Sequence, residues 1–342
     1  MSTPASPRRL RFLVLGLIFV MVAAAGAFVL VALYWPNSLP DEADRLVYVS
    51  RGESFHAIMD SLEHHRIIRS RLLFHLTARL YGGTDRLQIG KYAFRNGMSN
   101  TDIFLSLREG RDNLLITVTI PEGLRARAQA RLFARALGID SVKYMNLVRD
   151  ASYVKKCGLE GPTLEGFLLP ETYRLMWGQE EREIIEKQLG EFKRFFTDSL
   201  RVRAGEFGWT VREALTFASI VEGEAVIDEE RPVISGVYHN RLRIGMKLEA
   251  DPTLQYIFDN GPRRVLYADL RIDNPYNTYR YAGLPPGPVN NPGRASILAA
   301  LFPQQNNYLY FVSNTHGGHW FARNLAEHVR NVKNYRRVRA RH

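Results

Sequence analysis

The sequence contains a single cysteine, Cys157, among its 342 residues. One cysteine cannot form a disulfide within the chain, and a cysteine-rich metal site is excluded. The histidines His239, His316, His319 and His328 are not joined by the H-x-x-x-H or H-E-x-x-H spacing of zinc sites, so we predict no bound metal. A G-x-S-x-G nucleophile motif is also missing, which argues against a serine hydrolase of that type.

Acidic residues are fewer than basic ones: 35 Asp and Glu stand against 46 Lys and Arg, for a formal net charge of +11. Such an excess suits nucleic acid, anionic lipid or an acidic polymer. Much of it lies at the two ends of the sequence, and no nucleic-acid motif or aromatic-plus-basic repeat lies between them. We therefore expect no nucleic acid as a partner.

One long hydrophobic run is present near the N-terminus. Phe12–Tyr34 contains no charged residue and would reach roughly 35 Å as a helix, which is enough to cross a bilayer. Three arginines precede the run and three acidic residues follow it. The positive-inside rule therefore predicts residues 1–11 in the cytoplasm, a single membrane span over residues 12–34, and everything after Trp35 outside.

The alternative for this run is a cleaved signal peptide, because the small residues Ala23–Ala27 resemble a cleavage site. The apolar run continues past them, well beyond the usual length of a signal's apolar region. It ends at Tyr34-Trp35, an aromatic pair typical of a membrane interface. These features favour a retained anchor, followed by a linker over residues 35–45.

The pattern after the linker alternates short strands and helices, which predicts an α+β fold. Leu46–Val49 is predicted as a strand, the segment at Gly52 as a turn, and residues 57–62 and those after Ser70 as two helices. This order resembles a LysM domain, a small sugar-binding module of cell-wall proteins. We place the LysM-like module at residues 46–110, with a further strand at 92–94 and a helix at 101–107. A common small α+β arrangement without a ligand would show the same pattern.

The same order recurs in a second small α+β unit over residues 111–160. Ile116–Ile120 is predicted as a strand, Gly123 takes the place of Gly52 in the turn, and helices are predicted over Arg125–Leu137 and from Ser141. Residues 161–342 form the predicted last domain, also α+β. Within this domain, a long helical and charged stretch is predicted from about Glu180 to Ala204.

The helix predicted to begin after Thr210 carries Glu222. Thr210 and Glu213 have the spacing of a capping box. The apolar stripe of this helix comprises Ala214, Leu215, Ala218, Val221 and Ala225. Glu222 falls on the stripe, whereas Glu213 and Glu224 are predicted to point to the opposite side. A carboxyl among apolar side chains resists ionisation, which suits a general acid near neutral pH. A frayed helix end that exposes Glu222 to solvent is the alternative.

Two later segments bear on a binding site. Asp251-Pro252 is typical of a helix start with Asp251 as the N-cap, and Asp251 is also a candidate substrate contact. Residues 274–281 are rich in aromatic rings and amides, which stack on sugar faces and bond hydroxyl and N-acetyl groups. We predict substrate contacts from the four residues Tyr276, Asn277, Thr278 and Tyr279.

Short motifs occur in one order along the whole chain. They are Pro121-Glu122-Gly123, Leu164-Glu165-Gly166, Ala218–Glu222 with Glu224, Tyr238-x-Asn240-Arg241-Leu242, Asp251-Pro252-Thr253, Tyr276–Tyr279, Gly283–Pro288, Pro292-Gly293, Tyr308–Val312 and Gly317-Gly318-His319. The ordered set, with the anchor and the LysM-like module, resembles the YceG-like family of endolytic murein transglycosylases. The family's catalytic glutamate falls on Glu222. Leu248-Glu249-Ala250 is a departure, because the family more often has Gln followed by a small hydroxyl residue there.

The resemblance implies a lytic transglycosylase that cuts the β-1,4 bond between MurNAc and GlcNAc in peptidoglycan. The C6 hydroxyl of the muramic acid sugar attacks its own C1 and leaves a 1,6-anhydro end, while Glu222 first donates and then accepts a proton. This internal nucleophile replaces the second carboxylate of ordinary glycosidases, and no cofactor is implied. The implied location is the bacterial cytoplasmic (inner) membrane, with the catalytic domain outside in the periplasm. There the enzyme would act on nascent strands near peptidoglycan synthases or the division complex and would terminate strand elongation.

Two other functions remain open from the sequence. A hydrolytic muramidase would use Glu222 with a water held by Glu165 or Asp251, and Glu165 is also a candidate substrate contact. A membrane-anchored scaffold would bind peptidoglycan without cutting it. Only transglycosylation yields anhydro ends, so the products distinguish the three functions.

Overall fold

The computed structural model describes residues 7–38, 43–258, 263–314 and 317–339, with the backbone alone for residues 7–10. Helix α1 (Pro7–Tyr34) is continuous, and most of its apolar side chains are exposed. The segment Arg11–Tyr34 is long and apolar enough to cross a membrane. The predicted N-terminal apolar helix is therefore confirmed, and its composition fits a membrane anchor as well as a signal sequence.

The chain divides into two compact units. Unit 1 comprises residues 1–116 and 174–179, and unit 2 comprises residues 117–173 and 180–342. The chain enters unit 2 within strand β3 (Leu115–Thr119) and returns to unit 1 within strand β4 (Thr172–Met176), and these two strands pair.

Unit 1 is a small α+β body built on an antiparallel pair of strands. Its elements in chain order are β1 (Arg45–Val49), α2 (Phe55–His64), α3 (Arg71–Tyr81), β2 (Gly90–Phe94) and α4 (Asn100–Glu109). Strand β1 pairs with β2 so that Val47 lies opposite Tyr92. Buried side chains from both strands and all three helices form one core. The strands and helices predicted over this region are confirmed.

The last turn of α1 is part of unit 1. Thr77 on α3 donates from its hydroxyl to the Ala32 carbonyl at 3.0 Å, and Asn100 donates from Nδ2 to the same carbonyl at 2.8 Å. Thr101 donates to the Leu33 carbonyl at 2.9 Å. Carbonyls in the last turn of a helix have no partner within the helix, so these side chains satisfy groups that would otherwise be unpaired.

Unit 2 is mostly helical. Its helices are α5 (Ala126–Leu137), α6 (Ser141–Val148), α7 (Ala151–Lys156), α8 (Glu181–Phe195), α9 (Asp198–Glu206), α10 (Val211–Glu224), α11 (Arg231–Arg243), α12 (Asp251–Ile257), α13 (Arg294–Leu301) and α14 (Leu325–Arg339). Strands β5 (Tyr310–Ser313) and β6 (His319–Ala322) pair in antiparallel fashion. Short 3-10 turns lie at Asp228–Glu230 and Asp269–Arg271. Helix α10 packs against α9, α11, α12 and α13, and its residues 214–221 are all buried.

The helical stretch predicted from about Glu180 to Ala204 is confirmed, and it consists of two helices, α8 and α9. The break lies at Phe196, whose ψ of 74° leaves the helical region. Phe196 is 1% exposed and its ring lies 5.4 Å from that of Phe192. Burial of this second ring in the core turns the chain, and Thr197 then starts α9 from an extended conformation.

The recurrence of a glycine turn in the two predicted small units is confirmed. Gly52 has a φ of +73° and Gly123 has a φ of +72°. Both conformations are left-handed, and glycine adopts them without a steric penalty. At Gly123 the turn lies against Glu222, because an added Cβ would be 3.4 Å from the Glu222 Cγ.

Candidate active site

Helix α10 presents Glu222 in its last turn. Thr210 and Glu213 form the predicted capping box, in which the Thr210 hydroxyl accepts from the Glu213 amide and the Glu213 carboxylate accepts from the Thr210 amide. The cap fixes where helix α10 begins. The buried middle of the helix holds it in the centre of unit 2. The position of Glu222 is therefore set by the core and by both ends of one helix.

Glu222 lies in a charged, hydrogen-bonded setting. Its Oε1 is 3.2 Å from Nη1 of Arg231, and its Oε2 accepts from the Gly293 amide at 3.0 Å. The side chain is 6% exposed. The purely apolar setting predicted for Glu222 is therefore not the one that the structure shows. The burial of its side chain excludes the alternative in which a frayed helix end exposes it to solvent.

Arg231 connects Glu222 to two other carboxylates. Its Nε donates to Asp228 at 2.9 Å, and its Nη2 lies 3.7 Å from Oε2 of Glu122. Its Nη1 also donates to the Ser296 hydroxyl at 2.5 Å. The Arg231 side chain is 9% exposed, so it is an almost fully buried cation shared by three acidic groups. Such a cation holds its partners in fixed positions.

Glu122 is the second carboxyl beside the candidate catalytic residue. Its side chain is 45% exposed, in contrast to that of Glu222. Partial burial raises the pKa of Glu122, the charge of Glu222 raises it further, and Arg231 opposes both effects. The missing Cβ of Gly293 leaves room for the Glu122 carboxylate, which a larger residue there would displace. Two carboxyls that share one guanidinium are a suitable arrangement for exchanging a proton.

The sequence predicted that Glu224 points away from the interior. In the structure it points inward instead. Its Oε1 accepts from the Tyr238 hydroxyl and from the Asp251 amide, both at 3.1 Å. Burial raises the pKa of Glu224 to about 7, and the charge of Asp251 adds to this rise. The residue joins the end of α10 to the start of α12.

Asp251 is the first residue of α12 and does not act as its N-cap, so the capping prediction is wrong. Its carboxylate instead accepts from the Tyr279 hydroxyl at 2.6 Å. Burial, followed by the bond and the charge of Asp251, raises the pKa of Tyr279. Asp251 is itself an exposed residue, so the pair lies at the surface.

The other residues predicted for substrate contact take different roles. Asn277 is fully buried and donates to the carbonyls of Leu270 and Ile272. Thr278 is 1% exposed and accepts from the Ala250 amide. Both therefore fix the loop from inside. The Tyr276 ring packs against that of Tyr256, with the ring centroids 4.6 Å apart and the planes tilted by 36°. Tyr276 is partly exposed, so it is available to a ligand.

Glu165 is buried beneath the loops of the site. Its Oε1 accepts from the Ala126 amide at 2.8 Å and from Nδ2 of Asn291 at 2.7 Å. Burial raises the pKa of Glu165 to about 7, against the lowering effect of these bonds and of Arg125. Asn291 also accepts from the Gly166 and Leu168 amides. Glu165 and Asn291 together tie Leu164-Glu165-Gly166 to the loop that carries Gly293.

Glu122, Arg231, Gly293 and Asn291 were not predicted as site residues. Glu122 and Gly293 do lie in the motifs Pro121-Glu122-Gly123 and Pro292-Gly293, and these motifs were the available signal. Their contacts join positions far apart in sequence, such as the bond from Gly293 to Glu222 across 71 residues. The charge on Arg231 gives no such indication in the sequence.

The histidines of unit 2 each have a local setting. His239 donates from Nε2 to the Ala300 carbonyl, His319 pairs with Glu230 at 2.6 Å, and His328 stacks on Tyr310. His316 lies outside the described residues. Within the ranges that the structure describes, no three His, Cys, Asp or Glu side chains form a group that could hold a metal ion.

The fold and this site define a YceG-like protein: the model of the YceG-like family matches residues 47–334, and the chain belongs to that family. The family predicted from the sequence is therefore confirmed. The chain is 30% identical over 303 residues to the endolytic murein transglycosylase of Bacillus subtilis (strain 168), covering 84% of each chain. It is 28% identical over 356 residues to the protein of that name in Streptococcus pneumoniae serotype 2, covering 94% of this chain and 64% of that one. A crystal structure of a yceG-like protein from Listeria monocytogenes matches with a TM-score of 0.58 and 28% identity, over 85% of this chain and 99% of the other.

Proposed function

We propose that this chain is an endolytic peptidoglycan lytic transglycosylase that cuts the MurNAc–GlcNAc β-1,4 bond and leaves 1,6-anhydro-MurNAc ends. The observation that carries the proposal is the setting of Glu222, an almost fully buried carboxyl at a helix end, held by Arg231 and the Gly293 amide. The names of the Bacillus and Streptococcus relatives support the same reaction. No cofactor is part of it.

Glu222 serves as both acid and base in this proposal. It donates a proton to the glycosidic oxygen and then, as a carboxylate, accepts one from the C6 hydroxyl of the muramic acid sugar. Glu222 has to hold a proton before the first step, and a neighbouring carboxyl can supply that proton. Glu122 is suited to supply it, since its pKa is raised and it shares Arg231 with Glu222. The pair would hold one proton between them and lose it as pH rises.

A hydrolytic muramidase is the second candidate, and the same observation favours it. Glu122 is the carboxyl that shares Arg231 with Glu222, and its exposed side chain could activate a water. Glu165 already accepts hydrogen bonds from Ala126 and Asn291, and Asp251 accepts one from Tyr279. Both carboxylates are therefore less well placed than Glu122 to hold that water. A hydrolase would leave reducing ends that are heavier by one water than anhydro ends.

The test uses the full chain in detergent micelles with purified peptidoglycan, and mass spectrometry of the released ends. We expect anhydro-ended fragments from the wild type. Glu222→Gln should lower their rate of release by at least about 100-fold, because Gln cannot transfer the proton. Glu213→Gln is the matched control, since Gln keeps the capping box on the same helix. Release by Glu222→Gln at more than about a tenth of the wild-type rate would contradict the assignment.

The layout of the chain is part of the proposal. We assign residues 1–11 to the cytoplasm and 12–34 to a retained single span of the cytoplasmic membrane, with the rest outside. Residues 46–110 form a LysM-like glycan-binding module after the linker, supported by the order of β1, α2, α3 and β2. Residues 111–160 form a second small α+β unit, and residues 161–342 form the catalytic transglycosylase domain. Tyr276 and the Asp251–Tyr279 pair are the proposed sugar contacts, because they are the members of the predicted set that reach the surface.

An anchored enzyme of this kind would act close to the membrane. The short linker keeps it near newly made strands, and we propose that it cuts them beside peptidoglycan synthases or the division complex and so terminates elongation. A non-catalytic scaffold would bind strands equally well with Gln at position 222. The cleavage assay above therefore separates the enzyme from the scaffold.

A further inference from the structure

A cavity of about 270 Å³ in unit 2 is lined by three arginines. Arg125 and Arg127 come from the start of α5, and Arg149 follows α6. Thr163, Tyr256 and the apolar side chains of Met145 and Val148 complete much of the wall. We call this cavity the arginine pocket. Three like charges around so small a space favour an anion inside it.

Arg125 is fixed at the inner side of the pocket. It donates to the Gln255 carbonyl, and its guanidinium lies 4.9 Å from the centre of the Tyr256 ring. Burial lowers the pKa of Arg125, since the charge has lost part of its water. An arginine in this setting gains more from an anionic ligand than one in open solvent.

Arg127 and Arg149 are free to bind a ligand. Both residues are exposed, and neither forms an ion pair or a side-chain hydrogen bond with any residue that the structure describes. Glu165 is the acidic residue of the wall, and its Oε1 already accepts from the Ala126 amide and from Asn291. Its raised pKa, about 7 because of burial, further weakens it as a counter-charge. The pocket therefore carries a net positive charge.

One short segment of the chain contacts Glu222 and also contributes a residue to the arginine pocket. Gly123 lies against Glu222, and Arg125 follows two residues later. Asn291 donates to the Leu124 carbonyl and to Glu165, and the Gly293 amide donates to Glu222. These bonds hold the pocket and the Glu222 carboxyl in one framework, through residues that lie a few positions apart along the chain, so we expect one bound strand to reach both.

We propose that the arginine pocket binds a carboxylate of the peptide carried by the muramic acid sugar next to the cleaved bond. This inference rests on the proposed function. Murein carries such a peptide on the lactyl group of each muramic acid, so an anion accompanies every bond that the enzyme can cut. Arginine matches a carboxylate with two parallel hydrogen bonds, and the aliphatic wall suits the rest of an amino acid.

A second source of the same anion chemistry is the pyrophosphate at the lipid-linked end of a growing strand. The two sources differ in position, since the pyrophosphate occurs once per strand and the peptide occurs at every muramic acid. Strands without lipid carriers therefore isolate the peptide as the anion.

The experiment compares two substrates made from one lipid-free strand preparation, with the peptides either present or removed by an amidase. Full-length chain in detergent micelles cuts each, and the initial rates give a preference ratio. We expect wild type to prefer peptide-bearing strands by about tenfold or more, the scale of one charge-assisted hydrogen bond. Arg127→Gln and Arg149→Gln should each reduce this ratio several-fold, and the double variant should bring it near one.

Arg135→Gln is the matched control, because Arg135 is exposed in the last turn of the same helix and does not line the pocket. It should keep the wild-type ratio. Equal wild-type rates on both substrates would overturn the inference, as would pocket variants that slow both substrates by the same factor. Failure of wild type to cut either substrate would instead refute the proposed function.

Discussion

Glu122 and Glu222 contact the same guanidinium group, that of Arg231. A change in the charge of one carboxyl therefore changes the electrostatic energy of the other. The interaction is strongest where water is excluded, and Arg231 and Glu222 are both almost fully buried. Glu122, in contrast, is close to half exposed and can exchange protons with solvent. Because of this difference in exposure, a proton would pass from solvent to Glu122 and from Glu122 to Glu222.

We predict that Glu122→Gln moves the alkaline limb of the rate–pH profile to lower pH. Glu122→Gln removes the carboxyl whose pKa is raised by partial burial and by the charge of Glu222, so the proton that the two carboxyls share is lost at lower pH. Cleavage rates across pH 5–9 measure the shift, with Glu186→Gln on the outer face of α8 as the control. An unchanged limb would show that Glu122 is not coupled to the reaction. Loss of reducing-end products alone would identify it as the base of a hydrolytic route.

A second residue-scale prediction concerns stability. Burial raises the pKa of Glu224 from 4.5 to about 7, so the folded chain binds this proton more tightly than the unfolded chain does. The stability that results is present below about pH 4.5 and is lost as pH rises through 7. Gln does not titrate, and its amide oxygen can accept from Tyr238 and Asp251 as the carboxyl does. Glu224→Gln should therefore reduce the loss of stability between pH 5 and pH 8, by up to about 3 kcal/mol.

Urea unfolding in detergent at pH 5 and pH 8 measures this difference. Glu165 has a similarly raised pKa of about 7 and titrates in the same range, so part of the loss should remain in the Glu224 variant. Glu160→Gln, at an exposed position, is the control and should leave both midpoints unchanged. An equal loss in wild type and Glu224→Gln would show that Glu224 is charged in the folded chain at pH 5.

At the scale of elements, local signals in the sequence were reliable guides. The Thr210–Glu213 capping box, the strands of unit 1 and the turn glycines at 52 and 123 all depend on neighbours a few residues apart, and all are confirmed. The break between α8 and α9 within the predicted helical stretch has no such local signal, because it depends on the burial of Phe196 in the core. The setting of Glu222 was missed for the same reason, since Arg231 and Gly293 reach it only in the folded chain.

The join between α1 and unit 1 makes an element-scale prediction. Asn100 is 4% exposed, donates to the Ala32 carbonyl and accepts from Nδ2 of Asn37 at 3.0 Å. Asn100→Ala removes both bonds and should destabilise unit 1 by about 1–3 kcal/mol. Hydrogen exchange of the amides at residues 31–37 should become faster, whereas Asn334→Ala on exposed α14 should leave it unchanged. Unaltered exchange in Asn100→Ala would mean that the bonds from Thr77 and Thr101 are enough to hold this helix end.

At the scale of the whole molecule, the question is whether the mature protein keeps α1 or loses it by cleavage. The Ala32 and Leu33 carbonyls accept hydrogen bonds from side chains on α3 and α4, so the last turn of α1 belongs to the folded part of unit 1. A retained anchor therefore continues from the bilayer into unit 1 without a free hinge at its end. Cleavage near Ala27 would leave only the final turns of the helix, with their apolar side chains exposed to water.

We predict that the mature protein keeps residues 12–34 and fractionates with the membrane, and that a reporter active only outside the cytoplasm works when fused after residue 342. Intact-mass spectrometry of the protein extracted from membranes measures the retained segment directly. Replacing Leu17 and Val20 with arginine is the matched test of the span, because buried charge at the bilayer centre costs about 3 kcal/mol per residue on insertion scales. This variant should lose membrane insertion and reporter activity together. A mature chain that begins near Ala27 would refute the anchor, and a reporter active only in the cytoplasm would refute the orientation.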